Sequence, residues 1–397
     1  MIRISLFVAG LLAAVPASAF SVQGFELVQS YPAETTLRSE NLREAQDVWP
    51  EMIDSAKKTV DIEQFYISPS TGQPLEKSLD ALRRAGERGV RIRFLLEKKF
   101  ERNSLDGIAV LKTIPNLELR IIEWSKIAGT GIVHAKLMVI DSSQAYVGSQ
   151  NWDWRSLKHI HELGLRVSEP SVVKDVQAIV DYDWNAAELT NRGESLPAVN
   201  MKRPEVDRSR RAYLVASPWM WLPAGIGDSE SELPRLVAEA AKSVDVQVMD
   251  YNPTTYDRPK RFYPVFDNAL RDASVRGVPV RLMVADWSTD EPAIHHLKSL
   301  SLLPGVFIKV CTIPQSKDGY VPFSRVIHSK YMTVDAKALW LGTSNWGGGY
   351  LDNSRNAELV VRDAALAAEA GGVFERVWQS SYCEALDLKK AYPKPKK

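Results

Sequence analysis

The chain has 397 residues, 45% of them hydrophobic and 25% charged, with 50 basic side chains against 49 acidic ones. That is the composition of a soluble globular protein; it excludes a disordered or fibrous chain, and the length suffices for two cored domains. A net charge of +1 gives no global attraction to a polyanion, so an anionic ligand must be met by a local patch.

The N-terminus reads MIRISLFVAGLLAAVPASAF. Arg3 supplies a positive start, residues 4–15 an apolar run, Pro16 a break, and Ala17-Ser18-Ala19 a small-x-small cleavage site. The run is too short to span a bilayer as a helix. A signal peptide is therefore expected over 1–19, with export to a periplasm or beyond and no transmembrane segment in the mature chain. The next elements are written twice. AKKTVDIEQFY at 56–66 matches AKSVDVQVMDY at 241–251, each a helix end running into a buried strand. LDALRRAGERGVRIRFLLE at 79–97 is echoed by FDNALRDASVRGVPVRLMVAD at 266–286, each an amphipathic helix, a turn and a strand of branched apolar residues.

Strands alternating with helices predict an α/β fold. The Pro-, Gly- and Ser-containing stretch at 191–210 reads as a linker between homologous lobes at 20–190 and 211–397. Cys311 and Cys383 form an even pair, and in an oxidising compartment they can make one disulfide.

The densest repetition starts at Val133 and Ile327: VHAKLMVIDSSQAYVGSQNW and IHSKYMTVDAKALWLGTSNW, 194 residues apart. Both hold the pattern HxKxxxxD followed by G-(Ser/Thr)-x-Asn. The copies supply His134, Lys136, Asp141, Gly148, Ser149 and Asn151, then His328, Lys330, Asp335, Gly342, Thr343 and Asn345. Period-two alternation puts each histidine on the face of its lysine, a preformed site for an anionic phosphate. Two lysines clamp non-bridging oxygens, helped by Asn151, Asn345, Ser149 and Ser344. One histidine attacks while the other delivers a proton. Asp141 and Asp335 end the motif strands and are expected to hold the following loop by side-chain-to-backbone bonds. A nucleophilic imidazole needs its other nitrogen held. Glu162, 28 residues after His134, and Glu358, 30 after His328, are the candidate orienting carboxylates.

On these paired motifs the chain resembles the phospholipase D superfamily. Through stretches such as YVGSQNWDWRSL, VMDYNPTTYDRPKRFYPVFDNAL and VPFSRVIHSKYM it is similar to the lysosomal phospholipase D-like 5′-exonucleases. The resemblance implies two α-β-α sandwich lobes about a pseudo-two-fold axis, with one active site between them. It also implies a phosphohistidine intermediate with His134 as nucleophile and His328 as acid/base, no cofactor and no metal. Single-stranded nucleic acid is the expected substrate and phospholipid the alternative. No protein partner is indicated, and a duplicated chain completes its site as a monomer. Those relatives carry glutamate where this chain has Asp335. Trp152, Trp154, Trp346 and Tyr350 follow the motif asparagines and are candidate stacking platforms. Arg155, Arg325 and Arg355 are candidate phosphate contacts, and His159 with His161 a weaker candidate metal pair.

Overall fold

The structure is a computed structural model and describes residues 19–194, 196 and 200–392. The signal-peptide reading therefore falls, but for Ala19, outside the described residues. The principal strands of the first lobe are β1 (Phe25–Ser30), β2 (Thr59–Gln64), β3 (Arg91–Glu97), β4 (Leu117–Ile122), β5 (Lys136–Ile140), β6 (Gln144–Gly148) and β7 (Glu162–Val167). They are ordered β1-β7-β6-β5-β2-β3-β4. Those of the second lobe are β8 (Ala212–Ser217), β9 (Val244–Val248), β10 (Val280–Ala285), β11 (Val306–Cys311), β12 (Tyr331–Val334), β13 (Ala338–Gly342), β14 (Asn356–Val361) and β15 (Cys383–Ala385). The order β8-β14-β13-β12-β9-β10-β11 repeats the first sheet, and β15 adds an edge.

Helices cover both faces of each sheet, so the central strands are buried on both sides and read as apolar runs. In the first lobe α1 (Ala45–Ser55) and α2 (Leu75–Glu87) pack outside. The inward positions of α2, Leu75, Leu79, Leu82 and Ala85, recur at helical spacing and are buried. Each fully buried leucine contributes roughly 1.5–3 kcal/mol over an exposed one. On the inner faces lie α3 (Pro170–Asn191) and, in the second lobe, α4 (Ala364–Trp378). A single apolar cluster runs from Leu137, Val147 and Leu165 through Val176 to Leu341, Leu359 and Phe374, so the lobes share a core. Two further clusters are each confined to one lobe. Cys311 and Cys383 face each other across β11 and β15 and are joined by a disulfide.

The motif strands turn into β6 and β13 through tight hairpins. Asp141 and Ser142, and again Asp335 and Ala336, take φ near +50°, the left-handed region that both central residues of a type I′ turn demand. The sheet register also corrects one alignment read from sequence. Val60 lies opposite Ile140 as Val244 lies opposite Val334, so Tyr66 and Tyr251 are one residue out of step. One residue reverses the face of a strand. Tyr251 accordingly sinks into the core, while Tyr66 reaches the cavity between the lobes.

Candidate active site

Backbone pairing brings the two histidines to the seam between the lobes. The His134 N–H donates to the Arg355 carbonyl at 2.9 Å, and the Arg355 N–H donates to Ile132 at 2.9 Å. The counterpart repeats this: His328 N–H to the His161 carbonyl at 2.8 Å, His161 N–H to Val326 at 3.0 Å. Each motif thus enters its own sheet by first pairing with the other lobe.

The side chains cross in the same sense. Nδ1 of His134 lies 3.0 Å from Oδ1 of Asn356, and Nδ1 of His328 lies 2.8 Å from Oε2 of Glu162. Asn356 donates from Nδ2 to the Tyr350 carbonyl at 2.8 Å, and its Oδ1 accepts from Thr343 at 2.9 Å. That fixes the amide with oxygen toward His134, so His134 donates from Nδ1 and keeps the lone pair on Nε2. Glu162, fully buried, also accepts from Ser156 at 2.7 Å. Burial, then the charges of Lys136 and Lys330, hold His134 well below the usual histidine value. Burial lowers His328 to about 4, although the Glu162 carboxylate pulls it up.

Both lysines are buried and close enough to repel. Lys136 is held well below its ordinary value by burial and then by Lys330; Lys330 is lowered by burial to about 7. Each ammonium reaches back to the carbonyl of its own motif histidine, Lys136 at 2.6 Å. His134, His328, Asn151 and Asn345 line one cavity of about 350 Å³. Two amide atoms there, Oδ1 of Asn151 and Nδ2 of Asn345, are buried with no hydrogen-bond partner among the described residues. A phosphodiester suits this setting electrostatically: its negative charge offsets the mutual repulsion of the lysines, and the open Nδ2 of Asn345 is a donor for one of its oxygens.

Comparison with known proteins agrees with the geometry. The family model described as cardiolipin synthase, PLD-like domain matches residues 50–184 and 233–378. Phospholipase D Z of Dictyostelium discoideum is 32% identical over 387 residues, covering 90% of this chain and 89% of that protein. A protein named 5′-3′ exonuclease PLD3, from Xenopus laevis, is 30% identical over 375 residues, covering 84% of this chain and 75% of its own length. This chain belongs to the phospholipase D-like family of phosphodiesterases. Its fold is shared with a phosphatidylserine synthase from Haemophilus influenzae, at a TM-score of 0.62, 14% identity, and coverage of 94% and 90% of the two chains.

Other expected site residues of this phosphodiesterase take different places. Glu358 holds no histidine. It accepts from Ser229 and Ser344, and burial raises it to about 7. The register explains why: Glu358 opposes Gly342 as Gly164 opposes Gly148, so the counterpart of Glu162 is Asn356. Ser344 is therefore spent on Glu358, and Ser149 bonds the backbone of Leu163, so neither hydroxyl serves as a phosphate ligand. Asp141 accepts the N–H groups of Lys57, Lys58 and Thr59 at 2.7 Å, and Asp335 those of Ala241, Lys242 and Ser243. They fix the loop entering β2 and β9, not the loop after the motif, and they do not line the reaction cavity.

Trp152 stacks on Trp49 in the first lobe's core, and Trp346 is buried against Phe266 in the second. Trp154 packs edge-on to His159; of these four aromatics only Tyr350 lines the cavity, its ring 5.0 Å from that of His134. Arg155 borders the cavity bound to Asp153, whereas Arg325 is buried on the carbonyls of Pro314 and Ala33. Arg355 is fully buried and bidentate to Asp183, so it clamps the lobes and meets no phosphate. His161 is buried on Gln247, and among the described residues no group of His, Cys, Asp and Glu is placed to hold a metal ion. Sequence reasoning missed Asn356, Phe65, Phe100, Met249 and Trp287. A signal existed for two: Phe65 and Met249 follow β2 and β9 at the same register, and both line the cavity.

Proposed function

We propose that this protein hydrolyses phosphodiester bonds through a covalent phosphohistidine on His134. The observation that carries the order is the unequal backing of the two histidines. His134 faces a neutral amide and two lysines, which favours the unprotonated nucleophile. His328 faces a carboxylate, which favours the protonated acid. Burial leaves His328 at about 4 in the free protein, and a phosphodiester entering the cavity adds the negative charge that lifts it toward the protonated form. In the first step the Nε2 lone pair of His134 forms the P–N bond, the P–O bond breaks, and the leaving oxygen takes the proton of His328. In the second, His328 takes a proton from water as its oxygen attacks phosphorus, and the P–N electron pair returns to His134. The lysines supply the positive charge this chemistry needs, so the reading is metal-independent.

Single-stranded nucleic acid, attacked from the 5′ end, is the substrate we propose. Asn103, Arg155 and the Phe65, Phe100 and Tyr350 rings around the cavity support a base and its phosphate together. The apolar side chains Met249, Trp287 and Val326 in the same wall favour phospholipid as a second reading. The segment at 1–19 supports export to a periplasm or medium.

The test incubates mature protein, in EDTA, with a 5′-hydroxyl oligonucleotide and with phosphatidylcholine vesicles, using His134→Ala as blank. Stepwise release of nucleoside 3′-monophosphates is expected. Choline and phosphatidic acid instead would move the protein to the lipid reading. Wild-type rates in both His134→Ala and His328→Ala would refute the mechanism, and strong loss in EDTA the metal independence.

A further inference from the structure

Beside the cavity stands a β-hairpin that the catalytic chemistry does not use. Its stem is closed by the antiparallel bridge between Thr254 and Phe262, and by Thr255 N–H to the Arg261 carbonyl at 2.9 Å. Its seat is the glycine run after Asn345. A Cβ on Gly349 would fall 1.5 Å from the Tyr256 ring, and one on Gly348 2.9 Å from the Thr254 carbonyl. Only bare backbone lets the hairpin lie this close.

The close seating extends a ladder of rings out of the active site. From His134 to Tyr350 the centroids are 5.0 Å apart, and from Tyr350 to Tyr256 5.9 Å. Tyr256 is 51% exposed, and so is Phe262, which lies parallel to His296 at 5.6 Å. Between the two aromatics the tip reads Asp257-Arg258-Pro259-Lys260-Arg261. Arg261 pairs with Asp257, while Arg258 and Lys260 are exposed and make no ion pair among the described residues.

We infer that this hairpin is a second subsite, binding the nucleotides that follow the one held in the cavity. Tyr256 and Phe262 stack their bases, and Arg258 and Lys260 meet their phosphates. The inference rests on the nucleic-acid reading above. Two observations favour a strand over a lipid surface. The rings step outward from His134 edge-on to one another and end on the half-exposed Tyr256, and the tip that would enter a membrane first is charged. Stacking on an aromatic is indifferent to sequence because every base has a π-face, and cations add a salt-dependent attraction to the backbone.

The experiment compares kcat/KM for bis(p-nitrophenyl) phosphate, a dinucleotide, and an oligonucleotide of about ten nucleotides. Wild type, Tyr256→Ala/Phe262→Ala and Arg258→Glu/Lys260→Glu are each measured at two salt concentrations. The expected result is a KM roughly 10-fold or more higher for the long strand in either double variant, with the small diester unchanged. The charge-reversal variant should also lose part of the salt dependence. Arg258 and Lys260 are exposed, whereas Tyr256 packs on Tyr350, so unchanged activity on the small diester verifies that the cavity survives each double variant. Length-independent kinetics in wild type, or variants that keep the long-strand advantage, overturn the subsite while leaving the nuclease reading standing. If wild type cleaves the small diester but no oligonucleotide, the nuclease reading fails and the subsite with it. Lost binding to anionic vesicles with unaltered oligonucleotide kinetics would overturn it in favour of a lipid contact.

Discussion

Replacing Glu162 by glutamine removes one negative charge from behind His328 and leaves a carbonyl oxygen in its place. The contact is 2.8 Å, and the carboxylate is fully buried. A hydrogen bond to a charged group in such a setting is worth about 1.5–3 kcal/mol, or roughly 10- to 150-fold in rate. Geometry should survive, because Asn356 shows that an amide can hold the equivalent imidazole. kcat should therefore fall by that factor through loss of the proton donor. KM should rise less, because Glu162 also supports the charge on Lys330. An acid works only while protonated, and the change lowers the pKa of His328, so the high-pH limb of kcat/KM moves to lower pH. The mirror change, Asn356→Asp, puts a charge behind His134 and raises its pKa. A nucleophile works only unprotonated, so the low-pH limb moves up. Stopped assays with bis(p-nitrophenyl) phosphate across pH 4 to 9, a range spanning ordinary histidine and lysine-site titration, read both limbs. A kcat within about threefold of wild type in Glu162→Gln would refute the energetic argument. Limbs that move the opposite way would reverse the roles of the histidines.

Lys330, lowered to about 7, loses its charge as pH rises through neutrality, so KM for a phosphodiester should climb above pH 7 while Lys330→Arg, which stays charged, flattens that rise. For folding the sign is opposite. A base whose folded value is depressed costs stability while protonated, so the apo protein should gain stability between pH 7 and the ordinary lysine range, read by thermal melts with and without inorganic phosphate. Arg355→Met leaves Asp183 buried without its cation, and denaturant titration should show a loss of about 3–5 kcal/mol. The double variant Arg355→Met/Asp183→Leu should recover part of it, whereas no loss in the single variant would contradict the clamp.

The duplication, the α/β alternation and the two motifs were legible in the chain because they depend on local periodicity and repeated spacing. The same information could not choose between Asn356 and Glu358. They lie two residues apart on one strand, hence on one face, and only the pairing of β14 with β13 decides which reaches the seam. Nor could it reveal that each histidine is held from the opposite lobe, by partners 222 and 166 residues away. Asp141 and Asp335 mislead in the same way. Their spacing marks them as loop anchors, yet the N–H groups they hold belong to the segments entering β2 and β9 and not to the loop after the motif. Sequence by itself singled out the paired histidines, lysines and asparagines, because their spacing is written twice along the chain. Tertiary structure decided which histidine sits beside a charge and which beside an amide, because that follows from sheet register and from how two lobes meet, neither of which is local.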